Sequence, residues 1–259
     1  MIEIAHWLVE TNPLARSIIR KFRDFLAGEG ISWVAKNEKV EAVIQKFWDD
    51  PVNNFNRKLA QKIQQLFKFG EQCYPAFTSE NAGNVRLGYV DPANIAEVIT
   101  DPENCEVLLG VRLKSKGGKK GKRYKVIWDT DEEIASPAGA VLRETFTDGE
   151  CFYFAINNDS NSARGRSELL PSADHLDAYE NFIFDRLDMR SLVNSFIWDT
   201  TIEGKTQEEI NDLAKTMPPP KRGSEFFHNE RVKREAVTPD LKADDASADA
   251  RLAKNHILA

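Results

Sequence analysis

The chain has 259 residues, of which 41% are hydrophobic, 10% aromatic and 29% charged, enough for one large domain or two modest ones. This composition excludes a chain that is disordered throughout. The 35 basic and 41 acidic side chains give a formal net charge of −6, which argues against a protein that grips nucleic acid with a broad basic face. Any nucleic acid partner is therefore expected to be held loosely or through local basic patches.

Cysteine usage and the absence of targeting signals indicate the compartment. Cys73, Cys105 and Cys151 are widely spaced and form no CxxC pair, so we interpret them as reduced structural thiols. No secretion signal opens the sequence, and no stretch reaches the roughly 18 apolar residues of a membrane helix. We expect a soluble, intracellular protein with no membrane partner. No stop signal follows Leu258, so the chain is expected to end inside a helix, as a truncated sequence would.

The first part of the chain predicts three amphipathic helices. Pro13 suits the first turn of one, which runs to a glycine-rich stop at residues 28–30. A second helix is expected over about residues 39–48, and a third over residues 53–69, closed by Gly70. The third carries one apolar stripe, made of Phe55, Leu59, Ile63, Leu66 and Phe67.

Short segments separated by turn-forming residues follow and predict strands. They cover residues 85–90, 96–100, 106–113, 123–128, 141–146 and 151–156. Their regular spacing favours an antiparallel, hairpin-rich sheet. Helices followed by a small β layer make the first 160 residues an α+β body.

A polar loop at residues 157–166 precedes a long predicted helix over about residues 167–192, with Pro171 in its first turn. A helix of about 25 residues is roughly 38 Å long, which exceeds the needs of a small core, so it is expected to project. Its apolar side is formed by Leu169, Ala173, Leu176, Ile183 and Leu187.

A compact insert of mixed structure is expected next. Strands are predicted at residues 195–202, 225–229 and 232–237, with a helix at 206–216 that Thr206 and Glu209 begin as a capping box. A final helix starts near Ala243. Two helices thus flank a small α+β insert.

Segment 114–123, KSKGGKKGKR, is the one compositionally biased stretch. A Walker A loop does not fit, because only three residues separate Gly117 from Gly121 where the motif needs four, Arg123 replaces the Ser or Thr, and a strand is expected to follow. We interpret the segment as a flexible hairpin tip, with a local contact to nucleic acid or an acidic partner as the alternative. The candidate contact residues are Lys116, Lys119, Lys120, Lys122 and Arg123.

Residue spacing predicts no catalytic site, no metal site and no cofactor, so the chain is not expected to be an enzyme. The four histidines, His6, His175, His228 and His256, lack metal-binding spacing and a neighbouring cysteine. The acidic run at residues 129–133 is interpreted as a solvated loop, and Asp244 with Asp245 as a helix start. No GxSxG motif is present.

Five segments in chain order carry a family resemblance: NPLARSIIRKFRDFLAGEGISW (12–33), KFWDDPVNNFN (46–56), FKFGEQCYPAF (67–77), YVDPANIAEVITDPEN (89–104) and ARGRSELLPSADHLDAYENFIFDRL (163–187). The third contains a Gly-Glu turn, and the fifth begins with Arg-Gly and continues to Leu-Leu-Pro. Together they resemble the portal protein family of tailed bacteriophages, of the HK97-like and related siphovirus type. The fifth segment is the most specific and is similar to the start of that family's long stem helix.

The resemblance implies a portal-protein fold: an α+β wing at residues 1–165, a first stem helix at 166–192, a small α+β clip at 193–241 and the start of a second stem helix at 242–259. The C-terminal crown would be missing. It further implies a phage or prophage virion protein, assembled in the bacterial cytoplasm into a ring of twelve copies at one capsid vertex. Double-stranded DNA would pass through without tight binding. The implied partners are the terminase large subunit, the head-tail adaptor and the capsid or scaffold protein.

Within that layout the candidate functional residues are surface positions in the insert and the last helix. Candidate clip contacts are Trp198, Glu203, Lys205, Lys221 and Arg222. The strand position of Trp198 favours core packing of the insert, with a subunit contact as the alternative. Candidate channel- or stem-facing residues are Asp244, Asp245, Asp249 and Arg251.

Three other function classes stay open on the sequence. One is a phage enzyme, either a metal-dependent nuclease or a maturation protease. The second is another phage structural or head-completion protein without a DNA channel. The third is a generic α+β binding module with a basic loop.

Overall fold

The computed structural model describes residues 1–79, 83–130, 132–193, 197–216, 232–237 and 246–258. The chain divides into two compact units, essentially Met1–Asp177 and Ala178–Ile257. Helices and strands occur in both, which confirms the α+β class. None of the helices in the described ranges is both long and apolar enough to span a membrane.

Four helices open the first unit: α1 (Ile2–Thr11), α2 (Pro13–Ala27), α3 (Glu38–Asp49) and α4 (Phe55–Phe69). The three predicted helices are confirmed, whereas α1 was not predicted. Asn12 separates α1 from α2, because its side-chain oxygen accepts the amide protons of Leu14 and Ala15, each at 3.0 Å, and Pro13 starts the new helix. Gly70 ends α4 with a φ of 80°, as the sequence indicated.

The helices pack through a continuous apolar contact. Ala15 and Ile19 of α2 are fully buried, and Phe22 of α2 stacks on Phe67 of α4 with ring centroids 4.7 Å apart. Burial of a side chain such as Ile19 stabilises the fold by about 1.5–3 kcal/mol.

The main sheet of the first unit has six strands: β1 (Glu71–Thr78), β2 (Val85–Leu87), β3 (Ile95–Thr100), β4 (Leu108–Leu113), β5 (Arg123–Val126) and β6 (Glu150–Ala155), in the order β2-β1-β6-β5-β4-β3. Its buried core cluster joins β1, β3, β4, β5 and β6 through Cys73, Ile95, Val98, Val111, Tyr124, Val126, Cys151 and Tyr153.

The strand predicted at residues 141–146 is wrong, because this stretch belongs to helix α5 (Pro137–Arg143) and the turn after it. The Ser136 hydroxyl oxygen accepts the Gly139 amide at 3.0 Å, and Pro137 holds the first helical position, so the local start signal overrides the apolar pattern. The α5 connection also returns the chain so that β5 and β6 pair in parallel, with Lys125 opposite Glu150. The expectation of a purely antiparallel sheet is therefore wrong at this one pair.

The long helix α6 (Ala173–Val193) begins later than the predicted residue 167. Residues 167–172 form tight turns instead, with Leu170 bonded to the Ser167 carbonyl and Ser172 to the Leu169 carbonyl. Pro171 disfavours helical backbone at Leu170. Pro171 therefore lies ahead of the helix and not in its first turn. Leu176 is fully buried, whereas Leu187 is 58% exposed, so the predicted apolar side is covered only near its start.

The second unit contains a two-stranded antiparallel ribbon, β7 (Ile197–Ile202) with β8 (Val232–Val237), and helix α7 (Gln207–Thr216). The Thr206 amide donates to the Glu209 carboxylate at 3.1 Å, which confirms that arm of the capping box. Helix α8 (Ala246–Leu258) follows. The predicted strand at residues 225–229 and the helix start near Ala243 lie outside the described residues.

Candidate functional site

Two of the portal-like motifs meet in one buried ion pair. The Arg164 guanidinium donates from Nη2 to Glu71 Oε1 at 2.5 Å and from Nε to Glu71 Oε2 at 2.7 Å. The Tyr153 hydroxyl donates to the same Oε2 at 2.7 Å. The Glu71 side chain is 1% exposed, so this two-pronged contact, here called the Glu71–Arg164 clamp, lies at the base of the sheet.

The glycines beside the clamp allow the two backbone segments to touch. Gly70 has a φ of 80°, and a Cβ there would lie 2.2 Å from the Arg166 carbonyl. A Cβ on Gly165 would lie 1.9 Å from the Gly70 oxygen. The Ile156 amide donates to that same oxygen at 2.8 Å, and the Arg166 amide donates to the Ile156 carbonyl at 3.0 Å. The Gly-Glu and Arg-Gly motifs are therefore two halves of one close contact.

The electrostatics of the clamp favour a charged pair and a neutral tyrosine. Burial of Arg164 lowers its pKa, but the hydrogen bonds and charge of Glu71 outweigh this effect and raise the pKa above its usual value. The pKa of Tyr153 is raised by burial first and by the Glu71 charge second. The clamp joins the loop ahead of α6 to the first strand of the sheet.

The predicted basic segment forms a structured hairpin between β4 and β5, here called the basic hairpin (residues 114–123). Lys116 and Lys119 exchange two backbone hydrogen bonds of 3.2 and 3.1 Å. Gly117 and Gly118 lie between them with φ values of 59° and 75°, the signature of a type I′ turn. The side chains of Lys116, Lys119, Lys120 and Lys122 are exposed, and Arg123 is half-buried at the base. The predicted hairpin is confirmed and it contains no phosphate-loop helix.

Of the candidate clip residues, the structure brings Glu203 and Lys205 together. They flank Gly204, with a φ of 83°, in the exposed turn between β7 and α7. Trp198 lies in β7 opposite Ala236 of β8. Lys221 and Arg222 lie outside the described residues. A role for these positions in docking stays a prediction.

Two of the four candidate channel residues lie in the last helix. Arg251 lies in α8 and is exposed, and Asp249 lies in the same helix. Asp244 and Asp245 lie outside the described residues. That these residues face a channel also stays a prediction.

One feature of the first unit was not predicted: Lys62 of α4 lies in an aromatic cleft. Its Nζ atom lies 4.0 Å from the centre of the Tyr74 ring, with the rings of Phe55 and Tyr89 at 5.3 and 5.9 Å. Burial, and then the neighbouring Lys58 charge, lower the pKa of Lys62 to about 8. No sequence pattern marks this site, because its rings come from helix α4, from strand β1 and from the segment that contains Tyr89.

Among the described residues, no group of three or more His, Cys, Asp or Glu side chains is arranged to hold a metal ion. The Nδ1 atom of His6 instead lies 2.6 Å from Lys68 Nζ. The features that the described residues present are thus a clamp, a charged hairpin and an exposed turn.

Chains from gene transfer agent particles share this fold. A chain from the virion of the native gene transfer agent (GTA) particle aligns over 98% of this chain and 66% of its own length, at 12% identity and a TM-score of 0.57. Chains from the neck of the empty GTA particle, computed with C6 symmetry, and of the native GTA particle, computed with C12 symmetry, give TM-scores of 0.56 and 0.55 at 12% and 11% identity. These two cover 96% and 97% of this chain, and 67% of each matched chain.

This chain therefore spans about two thirds of the length of the first of these structural relatives. At such low identity the likeness establishes the fold alone. No curated protein sequence matches the chain significantly.

The sequence profile described as phage portal protein, SPP1 Gp6-like, matches residues 11–141, just over half of the chain. The chain therefore belongs to the phage portal protein family, a family of structural proteins. The resemblance carried by the colinear motifs is confirmed.

Proposed function

We propose that this chain is the subunit of a ring-shaped DNA channel at one capsid vertex, serving genome packaging, genome ejection and head-tail joining. The observation that carries the proposal is the coincidence of two matches: the portal profile over residues 11–141, and the fold likeness over almost the whole chain to a neck protein of a particle computed with C12 symmetry. The ring then contains about twelve copies, and the protein is part of the virion after assembly in the bacterial cytoplasm.

The proposed division of labour follows the order of the elements. Residues 1–165 form the wing, 166–192 the first stem helix, 193–241 the clip, and 242–259 the start of the second stem helix. The ribbon β7–β8 with α7, flanked in sequence by α6 and α8, supports this order. The clip docks the terminase large subunit during packaging and the head-tail adaptor afterwards, and the exposed Glu203-Gly204-Lys205 turn is a charged feature suited to such docking. The capsid or scaffold protein is the remaining partner.

The net charge suits a channel wall along which DNA slides. A subunit with a formal charge of −6 repels phosphate on average, so duplex DNA passes without being held tightly. The protein itself carries out no chemistry in this proposal, since the packaging motor supplies the energy.

Exposed apolar side chains on α1 support assembly with further copies. Ala5, Leu8 and Val9 bury one side of α1 in the subunit, while Ile4 and Trp7 are 51% and 55% exposed. A helix that is apolar on two sides is typical of one whose second side meets another protein surface.

Native mass measurement together with negative-stain imaging tests the proposal. A ring of about a dozen copies with a pore of roughly 20 Å, wide enough for a duplex, is the expected result. A monomer or dimer at high concentration would overturn the channel. A metal-dependent nuclease assay on the same sample separates the remaining alternatives: cleavage indicates the phage nuclease, and its absence without a ring indicates a head-completion protein.

A further inference from the structure

The basic hairpin concentrates charge that the rest of the chain lacks. Its ten residues contain six basic and no acidic side chains. The other 249 residues contain 29 basic and 41 acidic side chains, a formal charge of −12. The hairpin is therefore a local cationic feature on an otherwise acidic chain.

The hairpin also places like charges opposite each other. Arg112 pairs across the strands with Arg123, and Lys116 pairs with Lys119 at the turn. Like charges directly opposite in a sheet destabilise it. Glu97 relieves the first pair, since it accepts from Arg112 at 2.6 Å, but within the described ranges no carboxylate lies within ion-pair distance of Lys116 or Lys119.

Some basic side chains elsewhere are paired with carboxylates. The ion pairs that the described residues form, among them Arg16–Glu10, Arg86–Asp50 and Arg166–Asp159, lie outside segment 114–123. The hairpin therefore differs from the rest of the chain in gathering six basic side chains without a carboxylate partner among the described residues into ten consecutive positions. Clustered like charges disfavour the hairpin locally, and a sequence that keeps such a destabilising feature is typical of a functional surface.

The backbone holds these charges in a defined place. The type I′ turn fixes the tip, the Lys114 amide donates to the Asn94 carbonyl at 2.8 Å, and the Gly121 amide donates to the Ser115 hydroxyl at 3.3 Å. Because the charges sit on a structured hairpin, a ligand does not have to order the backbone in order to meet them.

We infer that the basic hairpin binds the phosphate backbone of duplex DNA, independently of sequence. A protein partner fits the hairpin less well, because protein interfaces are depleted in lysine and depend on aromatic or large apolar anchors, and residues 114–123 contain neither. Lysine side chains around a narrow tip instead supply point charges for phosphate oxygens, without groups that read bases. The inference does not depend on ring formation, since each hairpin carries its own site.

Fluorescence anisotropy with a duplex of about 20 base pairs tests the inference at about 20–50 mM salt. If four or five lysines each neutralise one phosphate, the logarithm of the affinity falls with the logarithm of salt concentration with a slope of about −4. The hairpin variant carries Lys116→Gln, Lys119→Gln, Lys120→Gln and Lys122→Gln. We expect it to bind at least tenfold more weakly, with a slope nearer to zero.

The matched control removes the same four charges from helices α2 and α3 and the segment between them, at the exposed residues Lys21, Lys36, Lys39 and Lys46. It should bind DNA within about threefold of wild type if the site is local. Equal losses in both variants would show that only net charge matters and would overturn the inference, as would unchanged binding in the hairpin variant. Polyglutamate is the second probe: binding as tight as that of DNA would point to an acidic protein partner instead.

Two readouts keep the outcomes distinct. Circular dichroism of both variants shows that the fold is retained, which we expect because the substituted side chains are exposed. Native mass of the wild-type protein reports ring assembly separately. A monomer that still binds DNA through the hairpin would contradict only the proposed channel, whereas a ring whose hairpin variant binds DNA like wild type would contradict only this inference.

Discussion

Glu71 and Arg164 are 93 residues apart in the sequence, yet both guanidinium-carboxylate hydrogen bonds between them are formed, at 2.5 and 2.7 Å. Glu71 starts β1 directly after the Gly70 turn, and Arg164 lies in the loop that leads to α6. The first strand of the sheet and the approach to the long helix are therefore fixed to each other.

Substitution of Arg164 should destabilise the fold. Arg164→Met leaves the buried Glu71 carboxylate without its counter-ion, so we expect the free energy of unfolding to fall by about 3 kcal/mol. The double variant Glu71→Gln with Arg164→Met should recover part of that loss, because no uncompensated charge stays buried. Urea unfolding measures both.

The control for this experiment is Arg166→Met in the same motif. Arg166 pairs with Asp159 at 3.3 Å, with side-chain exposures of 45% and 70%, and such surface pairs contribute about 0–1 kcal/mol. Equal losses of unfolding free energy in Arg164→Met and Arg166→Met would show that the clamp stabilises the fold no more than a surface ion pair does.

Gly70 should tolerate no side chain. Gly70→Ala adds a Cβ that meets the Arg166 backbone, in addition to the strain of a φ of 80°. Gly30 has a similar φ of 77° but open space around it, so Gly30→Ala isolates the strain, about 1 kcal/mol. We expect Gly70→Ala to lower the melting temperature clearly more than Gly30→Ala does. If both variants unfold at the same temperature, the requirement for glycine at position 70 does not come from the close approach of the two motifs.

Local signals made much of this fold predictable. The Asn12-Pro13 start and the Gly70 stop lie next to the helices that they bound, so α2 and α4 were predicted from the residues themselves. The start at Ser136-Pro137 is equally local but was not among the predicted start signals, and part of α5 was predicted as a strand. The error shows that a capping serine before proline outweighs a short apolar pattern.

Long-range contacts were beyond the sequence. Motif resemblance singled out the segments that contain Glu71 and Arg164, but only the folded chain shows that they touch. The Lys62 cleft is assembled from α4, β1 and the Tyr89 segment, none of which carries a distinguishing pattern. The basic hairpin, by contrast, was predictable, because its charge and its turn lie in ten consecutive residues.

Lys62 should make stability depend on alkaline pH. Its pKa is about 8 in the folded protein against an ordinary value of 10.5, so between these values the unfolded chain binds more protons and stability rises with pH. Below about pH 8 the amine is charged in both states and its desolvation weakens the fold. Lys62→Met should therefore be more stable than wild type at pH 7, by about 1–2 kcal/mol, with the gap closing near pH 10.5.

Urea unfolding at several pH values measures this difference, with Lys21→Met as the control because Lys21 is fully exposed in α2. A gap that stays constant with pH would mean that the added methionine packing, and not the loss of a desolvated charge, explains the stabilisation.

The three cysteines should differ sharply in reactivity. Cys105 is exposed, whereas Cys73 and Cys151 are fully buried in the sheet core. The pKa of Cys151 is raised by its hydrogen bond with Cys73 and then by burial, which further suppresses its thiolate. A thiol reagent such as DTNB should titrate one group in the native protein and three after denaturation. In Cys105→Ser the native reaction should disappear, and a fast reaction that persists would contradict the buried positions of Cys73 and Cys151.

Trp7 tests the assembly surface of the proposed ring. Trp7 and Ile4 are more than half exposed and lie on the side of α1 next to the one on which Ala5 and Leu8 are buried. If a neighbouring copy covers this side, Trp7→Glu places a charge in an apolar contact, and ring formation should need at least about tenfold more protein. Ser17→Glu adds the same charge at an exposed polar position of α2 and should assemble normally.

Mass photometry over a concentration series measures the fraction of each variant that is assembled into rings. Normal rings from Trp7→Glu would show that α1 faces solvent or a different protein in the particle, because a glutamate buried between two copies could not be tolerated without a compensating partner.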